Sequence, residues 1–172
     1  MSTISVKMHF AAGHRILGLD GLGEKCRNIH GHTFHVTWVL DQHPDIEFGK
    51  LKAVLKQVCG SFDHAFLLDK SDDFLHYLRA NMLRHYALPC PPTTECIAAE
   101  LAKLAIDQLT QPQPPSGFNG SKREPIPALY PHALLLKVIV EEGPENCATW
   151  EADEHQRGHV HIPLLDHERI EV

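Results

Sequence analysis

Alternation between apolar and polar positions predicts two long strands near the start of the chain. In the first, every second residue over positions 4–10 is apolar and the residues between them are polar or charged. In the second, the side chains that share one face are His30, His32, Phe34, Val36, Trp38 and Leu40. A period of two is typical of half-buried strands. We expect the two segments to pair in antiparallel fashion, with the second ending at about 41–44.

The apolar spacing then changes to that of a helix. The residues three or four apart are Phe48, Leu51, Leu55, Val58 and Phe62, and Gly60 is expected to end this amphipathic helix. Positions 63–68 are predicted to be a loop or short turn, and 71–83 a shorter helix. After a proline-rich break, Thr93 or Thr94 can cap a second main helix. Its predicted buried face consists of Ile97, Leu101, Leu104 and Ala105.

Two further strands are predicted at 134–142 and 147–151. The order ββααββ is an α+β arrangement, in which one antiparallel four-stranded sheet carries two main helices on one face. Residues 1–150 would form a single domain with a Pro-rich insertion at about 111–131. A polar, His-rich extension would follow at 151–172. Four strands leave two open edges, so we expect neighbouring subunits to cover them.

Composition and charge narrow the functional classes. The 172 residues include 14 histidines, and the formal net charge is −6 with His neutral. Nucleic-acid surfaces need clustered Lys and Arg, and a membrane span needs about 20 apolar residues, so we expect neither a nucleic-acid nor a membrane partner. The five cysteines are scattered and odd in number, and the first residues lack the pattern of a signal peptide. We therefore expect free thiols and a cytoplasmic location.

Two histidines near the start of the second strand suggest a metal site. Residues i and i+2 on a strand point the same way, so the imidazoles of His30 and His32 should converge. His14 ends the first strand, and antiparallel pairing would bring it beside them. Three His ligands with a fourth position open are typical of catalytic zinc. The alternative is that the pair are ordinary surface histidines.

A second group of histidines lies in the C-terminal extension. Its members are His155, His159, His161 and His167. The surrounding sequence is polar and has no apolar pattern that would hold the rings in place. We interpret this group as a solvated tail.

Three other residues carry candidate chemistry. Cys26 lies between Lys25 and Arg27, and two cations favour the thiolate. It could therefore act as a ligand, base or nucleophile, or be a small buried apolar residue. Asp63 could orient His64 for proton transfer, although neighbouring side chains need not touch and an ordinary surface histidine is the alternative.

Taken together, these elements resemble the 6-pyruvoyltetrahydropterin synthase and 6-carboxytetrahydropterin synthase family. The matching elements are 10–15 (FAAGHR), 26–32 (CRNIHGH), 62–67 (FDHAFL), 92–95 (PTTE) and 138–142 (VIVEE). The resemblance extends over about residues 4–110 and 133–150. It implies the tunnelling fold, in which ββααββ units oligomerise into a barrel, typically as a hexamer of two trimers.

The resemblance also implies roles for individual residues. His14, His30 and His32 match zinc ligands. Cys26 matches the proton-transfer thiol, and Asp63 with His64 matches the dyad that relays protons. The implied cofactor is Zn²⁺, and the implied substrate is 7,8-dihydroneopterin triphosphate.

Glu142 is the expected substrate anchor. The family's Val-x-Glu spacing selects it over Glu141, and strand parity places it on the face of Val138 and Val140. A carboxylate can accept two adjacent N–H groups, which the 2-amino and N3 edge of a pterin presents.

The short spacing between Cys26 and His30 resembles the spacing in the bacterial enzymes of the queuosine route. We therefore expect a zinc-dependent lyase that forms 6-carboxy-5,6,7,8-tetrahydropterin, acetaldehyde and triphosphate. One alternative is a 6-pyruvoyltetrahydropterin synthase, which eliminates triphosphate without releasing acetaldehyde. Another is a zinc-binding protein of the same fold without catalytic activity.

Overall fold

The computed structural model describes residues 2–41, 46–111 and 135–153. The strands are β1 (Thr3–His14), β2 (His30–Asp41), β3 (Ala65–Asp69), β4 (His85–Leu88), β5 (Leu135–Glu141) and β6 (Cys147–Glu151). The helices are α1 (Phe48–Phe62), α2 (Phe74–Ala80) and α3 (Thr94–Thr110), with a 3₁₀ helix at Gly21–Arg27. Apart from their first residues, the predicted insertion at 111–131 and extension at 151–172 lie outside the described residues, so both stay predictions.

The strands form one mixed sheet in the order β4-β3-β1-β2-β5-β6. The four predicted strands are neighbours within it and antiparallel, as expected. The prediction that these four make up the whole sheet is wrong, because β3 runs parallel to β1 and β4 runs parallel to β3. Both added strands are short, and β3 has no alternation of buried and exposed positions, so the segment looked like a loop.

The two main helices cover one face of the sheet, which confirms the α+β prediction. In α1 the buried residues have the predicted helical spacing, but the helix continues through Gly60 to Phe62. Phe34 and Trp38 of β2 are fully buried in the same core as Leu55 and Leu101 of the helices. None of the helices in the described ranges is long and apolar enough to cross a bilayer.

One pair of cysteines departs from expectation. Cys90 and Cys96 are joined by a disulfide, whereas Cys26, Cys59 and Cys147 are free. The prediction that all five are free thiols is therefore wrong. Between the end of β4 and the first turn of α3 the chain turns back, which brings the two Cα atoms to 6.2 Å, a normal separation for a disulfide.

An ion pair ties α2 to the end of β1. Arg15 donates from Nε to Oδ2 of Asp72 at 2.9 Å and from Nη2 to Oδ1 at 2.6 Å. Oδ1 also accepts from the Phe74 amide at 2.9 Å. The Arg15 guanidinium and the Phe74 amide outweigh burial and hold the pKa of Asp72 below its ordinary value. The pair thus fixes the chain directly after His14.

Asp72→Asn is expected to lower the free energy of unfolding by about 2–3 kcal/mol at pH 7, because it leaves Arg15 without its charged partner. The folded pKa of Asp72 is lowered, so its stabilisation is present above the unfolded pKa and is lost as pH falls through the folded pKa. The difference from the parent should therefore shrink in acid.

Chemical denaturation at pH 7 and at pH 3 measures both effects. Asp73→Asn is the matched control, because it makes the same change at an exposed neighbouring position. It should alter stability by less than about 0.5 kcal/mol. Equal losses in the two variants would contradict the role given to Asp72.

Candidate metal centre

The register of β1 against β2 brings three imidazoles together. His14 lies opposite His30, and Ala12 lies opposite His32. The ring centroid of His14 is 4.4 Å from that of His30 and 5.2 Å from that of His32. The rings of His30 and His32 are 5.0 Å apart. The three side chains therefore form one cluster at the end of the hairpin.

Main-chain oxygens orient two of these rings. Nδ1 of His14 lies 2.9 Å from the carbonyl oxygen of Pro92, and Nδ1 of His30 lies 2.8 Å from that of Asn28. A carbonyl oxygen only accepts hydrogen bonds, so each Nδ1 must carry the hydrogen. In the neutral rings, the lone pair is then on Nε2, which is how metal-binding histidines are commonly oriented.

Glu142 joins the cluster from the position directly after β5. In the pairing of β2 with β5, Glu141 lies opposite His35, and the residue that follows it points to the other face, the one that carries His32. Oε1 of Glu142 is 2.9 Å from Nε2 of His32 and 3.4 Å from Nε2 of His14. The sequence predicts Glu142 as a substrate anchor alone and three histidines as the ligands, whereas in the structure the carboxylate lies within the same group.

The cluster has the features of a metal site. One possible ligand atom from each of His14, His30, His32 and Glu142 lies within 4.8 Å of the others. Nε2 of His14 and of His32 is buried without a hydrogen-bond partner among the described residues. The nearby Glu142 oxygen therefore does not satisfy either nitrogen by hydrogen bonding. Buried polar atoms without a partner are rare, and a bound divalent ion would satisfy both.

Charge states in the cluster also suit a metal. Burial lowers the pKa of His32, with smaller contributions from His14 and His30, and this outweighs the opposing effect of Glu142. Close contact with His14 and the hydrogen bond from Thr94 together outweigh burial and lower the pKa of Glu142 to about 2. Neutral imidazole and ionised carboxylate are the forms that bind metal ions.

Cys26 lies on the loop that joins the two His-bearing strand ends. It is half-buried in the 3₁₀ helix, and its carbonyl oxygen accepts from the Ile16 amide at 2.8 Å. This hydrogen bond holds the loop against the segment that follows His14. The group of possible ligands found among the described residues does not include the Cys26 thiol.

The side chains of Asp63 and His64 are in contact, although their adjacency in sequence does not by itself require this. Nδ1 of His64 is 2.9 Å from Oδ2 of Asp63, and Oδ1 accepts from the Ala11 amide at 2.9 Å. The Ala11 amide contributes most to lowering the pKa of Asp63; burial opposes it and His64 adds to it. His64 has a positive φ of 58°, an uncommon conformation for a residue other than glycine.

The group of possible metal ligands found among the described residues does not include His64. The His64 side chain is 80% exposed and borders a shallow pocket that is also lined by Gly13, Gly31 and Phe66, together with His32 of the cluster. One histidine of the cluster therefore lines the same pocket as the imidazole of the dyad.

Comparisons with known proteins agree with this architecture. A family model described as 6-pyruvoyl tetrahydropterin synthase matches residues 3–153. The 6-carboxy-5,6,7,8-tetrahydropterin synthase of Aquifex aeolicus is 28% identical over 136 residues, which are 68% of this chain and 84% of that protein. The Haemophilus influenzae protein of the same name is 32% identical over 83 residues, 42% of this chain and 57% of that protein.

Solved structures share the fold. An uncharacterized protein of Wolinella succinogenes superimposes with a TM-score of 0.65 at 16% identity, covering 88% of this chain and 98% of the other. The 6-pyruvoyl tetrahydropterin synthase of Caenorhabditis elegans gives 0.55 at 22% identity, covering 88% and 96%. This chain therefore belongs to the 6-pyruvoyl tetrahydropterin synthase family. The predicted tunnelling fold is confirmed, and association into a barrel stays a prediction.

His32→Ala is expected to weaken divalent metal binding by about 100-fold or more, because it removes a direct ligand. Loss of a residue that only supports a ligand typically costs about 10–100-fold. His35→Ala is the matched control, since it changes an exposed histidine of the same strand and should leave affinity unchanged. Competition with a chromophoric chelator measures both dissociation constants. Unchanged affinity in His32→Ala would contradict a metal site at the cluster.

Proposed function

We propose that this chain is a zinc-dependent carbon–carbon lyase acting on 7,8-dihydroneopterin triphosphate. Its products would be 6-carboxy-5,6,7,8-tetrahydropterin, acetaldehyde and triphosphate, as in the queuosine route to 7-deazapurines. The observation that carries the proposal is the pair of buried Nε2 atoms in the three-histidine cluster that have no hydrogen-bond partner among the described residues. The name of the Aquifex aeolicus relative supports the choice of product.

Zinc suits the donor set, because Mg²⁺ and Ca²⁺ prefer oxygen ligands and this cluster is rich in nitrogen. His14, His30 and His32 would hold it through Nε2, with Glu142 at hand as an oxygen donor. When bound, zinc would supply a Lewis acid to the oxygens of the substrate's side chain.

Proton transfer is the role proposed for the other groups. Cys26, with Lys25 and Arg27 on either side, would remove a proton from the substrate carbon as a thiolate. His64 would return a proton through Nε2, because Asp63 already accepts from its Nδ1 side. Asp63 would hold the ring in place, since its other oxygen is fixed by a main-chain amide.

Glu142 would bind the pterin ring. Its Oε2 accepts from the Thr94 hydroxyl at 2.9 Å, and its Oε1 lies beside the imidazoles. An ionised carboxylate has about four lone-pair sites, so it can accept the pterin's paired N–H groups while it keeps Thr94. Its low pKa keeps it an acceptor at neutral pH.

The proposed working form is a homohexamer built as a dimer of trimers. The sheet edges support association. Strands β4 and β6 are the edges of the described sheet, and unpaired edges favour pairing with another chain.

A product assay tests the proposed reaction. Purified protein with zinc and 7,8-dihydroneopterin triphosphate is expected to release acetaldehyde and triphosphate in equal amounts, together with the 6-carboxy product. Coupled oxidation of NADH by alcohol dehydrogenase measures the aldehyde, and mass spectrometry identifies the pterin. Release of triphosphate without acetaldehyde would contradict the proposed lyase activity.

The second candidate is the 6-pyruvoyltetrahydropterin synthase reaction. It is favoured by the description of the family model that matches residues 3–153. In the product assay it would give triphosphate and the 6-pyruvoyl compound. A zinc-binding protein without activity would give neither product and would still retain metal.

Cys26→Ala is expected to lower kcat by about 10²–10⁴-fold, the usual contribution of a positioned acid or base. Its metal content should be unchanged, because the proposed ligands are elsewhere. Cys147→Ala is the matched control, since it removes an exposed free thiol from β6 and should leave both quantities intact. Loss of metal from Cys26→Ala would make Cys26 a ligand and contradict its role as a base.

A further inference from the structure

The disulfide between Cys90 and Cys96 closes a loop against the metal cluster. The two residues are six apart in sequence, and the loop connects the end of β4 with the first turn of α3. Pro91 and Pro92 lie within it and have no amide hydrogen, so they cannot donate to a strand ladder. The cross-link therefore closes a segment in which two consecutive residues lack main-chain donors.

The loop touches the cluster at two points. The Pro92 carbonyl oxygen is 2.9 Å from Nδ1 of His14, and the Thr94 hydroxyl donates to Oε2 of Glu142 at 2.9 Å. His14 is fully buried and Thr94 is 8% exposed. Water therefore has little access to replace either contact if the loop shifts.

These two contacts set the direction of the cluster's donor atoms. The Pro92 oxygen fixes the tautomer and ring plane of His14, whose Nε2 faces the cluster. The Thr94 hydroxyl holds one oxygen of Glu142, while the other lies 2.9 Å from Nε2 of His32. One covalently closed loop thus orients a buried imidazole and the neighbouring carboxylate together.

We propose that the loop closed by Cys90 and Cys96 positions His14 and Glu142 for metal binding, and that reduction of its disulfide weakens that binding. The proposal rests on the proposed function only in that the cluster binds a metal. Reduction takes two electrons and two protons and yields two thiols, while a dithiol reductant is oxidised to its own disulfide. Cys90 is half-buried whereas Cys96 is buried, so Cys90 is the more exposed half of the disulfide.

A disulfide with a purely structural role would have a different effect on metal binding. The loop also leads into α3, where Thr93 caps the helix by accepting from the Cys96 amide at 3.3 Å. If the disulfide merely stabilised α3, its loss would lower the melting temperature of the metal-free protein. It would not change the affinity or ligand field of a bound ion in protein that is still folded.

The test uses the full chain loaded with Co²⁺, whose visible spectrum reports the ligand field. Affinity is measured by chelator competition before and after treatment with a water-soluble phosphine. The phosphine and one water molecule convert a disulfide to two thiols, and the phosphine becomes a phosphine oxide. We expect reduction to weaken Co²⁺ binding by about 10–100-fold, the usual effect of losing support around a ligand. The spectrum should change as well.

Cysteine variants distinguish the effect of the disulfide from that of the free thiols. The double variant Cys90→Ser/Cys96→Ser should bind Co²⁺ as weakly as reduced protein and should not respond to the phosphine. Cys147→Ser changes an exposed free thiol and should behave as the parent in both states. Melting temperatures of the metal-free proteins identify any variant whose loss of affinity comes from unfolding.

Substitutions at Thr94 test the second contact without touching the disulfide. Thr94→Val keeps the shape and removes the hydroxyl, so it should weaken Co²⁺ binding in oxidised protein. Thr94→Ser keeps the donor and should restore affinity to within about twofold of the parent, a difference of less than 0.5 kcal/mol. Equal Co²⁺ affinities in Thr94→Val and Thr94→Ser would contradict the role given to the Thr94 hydroxyl.

Thiol labelling in denaturant decides whether the cross-link is present. Protein purified without reductant should label at three cysteines, and reduced protein at all five. Five labelled thiols in untreated protein, or equal Co²⁺ affinity before and after reduction, would overturn the proposal. Failure to bind Co²⁺ in either state would instead overturn the metal site itself, so the two failures are distinguishable.

Discussion

The antiparallel pairing of β1 with β2 is the contact on which the metal cluster and much of the core depend. It runs through twelve residue pairs and ends with His14 opposite His30. The same register stacks Phe10 on Phe34 in the core, with ring centroids 5.1 Å apart. Because side chains alternate, a slip of one residue would expose these rings and turn the imidazoles of one strand away from the other's. Core packing therefore enforces the geometry of the cluster.

Contacts from outside the hairpin refine this arrangement. The loop before α3 provides the Pro92 oxygen, and the first residue of α3 provides the Thr94 hydroxyl, while Glu142 follows directly after β5. The carboxylate lies beside the first turn of α3, where the helix dipole favours negative charge. Three segments far apart in sequence thus meet at the cluster, and all of them hold its side chains in place.

The elements that could be predicted from the sequence are those with a clear local period. Alternation revealed β1 and β2, helical spacing revealed α1 and α3, and the i, i+2 relation placed His30 beside His32. The contact of Glu142 with the cluster depends on the pairing of β5 with β2, and no local pattern encodes a pairing across a hundred residues of sequence. The position of His64 depends likewise on the parallel pairing of β3 with β1.

The hydrogen bonds at Nδ1 of His14 and His30 end on main-chain oxygens, those of Pro92 and Asn28. A main-chain oxygen is present whichever side chain the residue carries. Single substitutions at Pro92 or Asn28 should therefore leave the orientation of the two imidazoles unchanged. Insertions and deletions in either loop would move the oxygen and should be poorly tolerated. The supports of the cluster therefore depend on loop length more than on the side chains of these two residues.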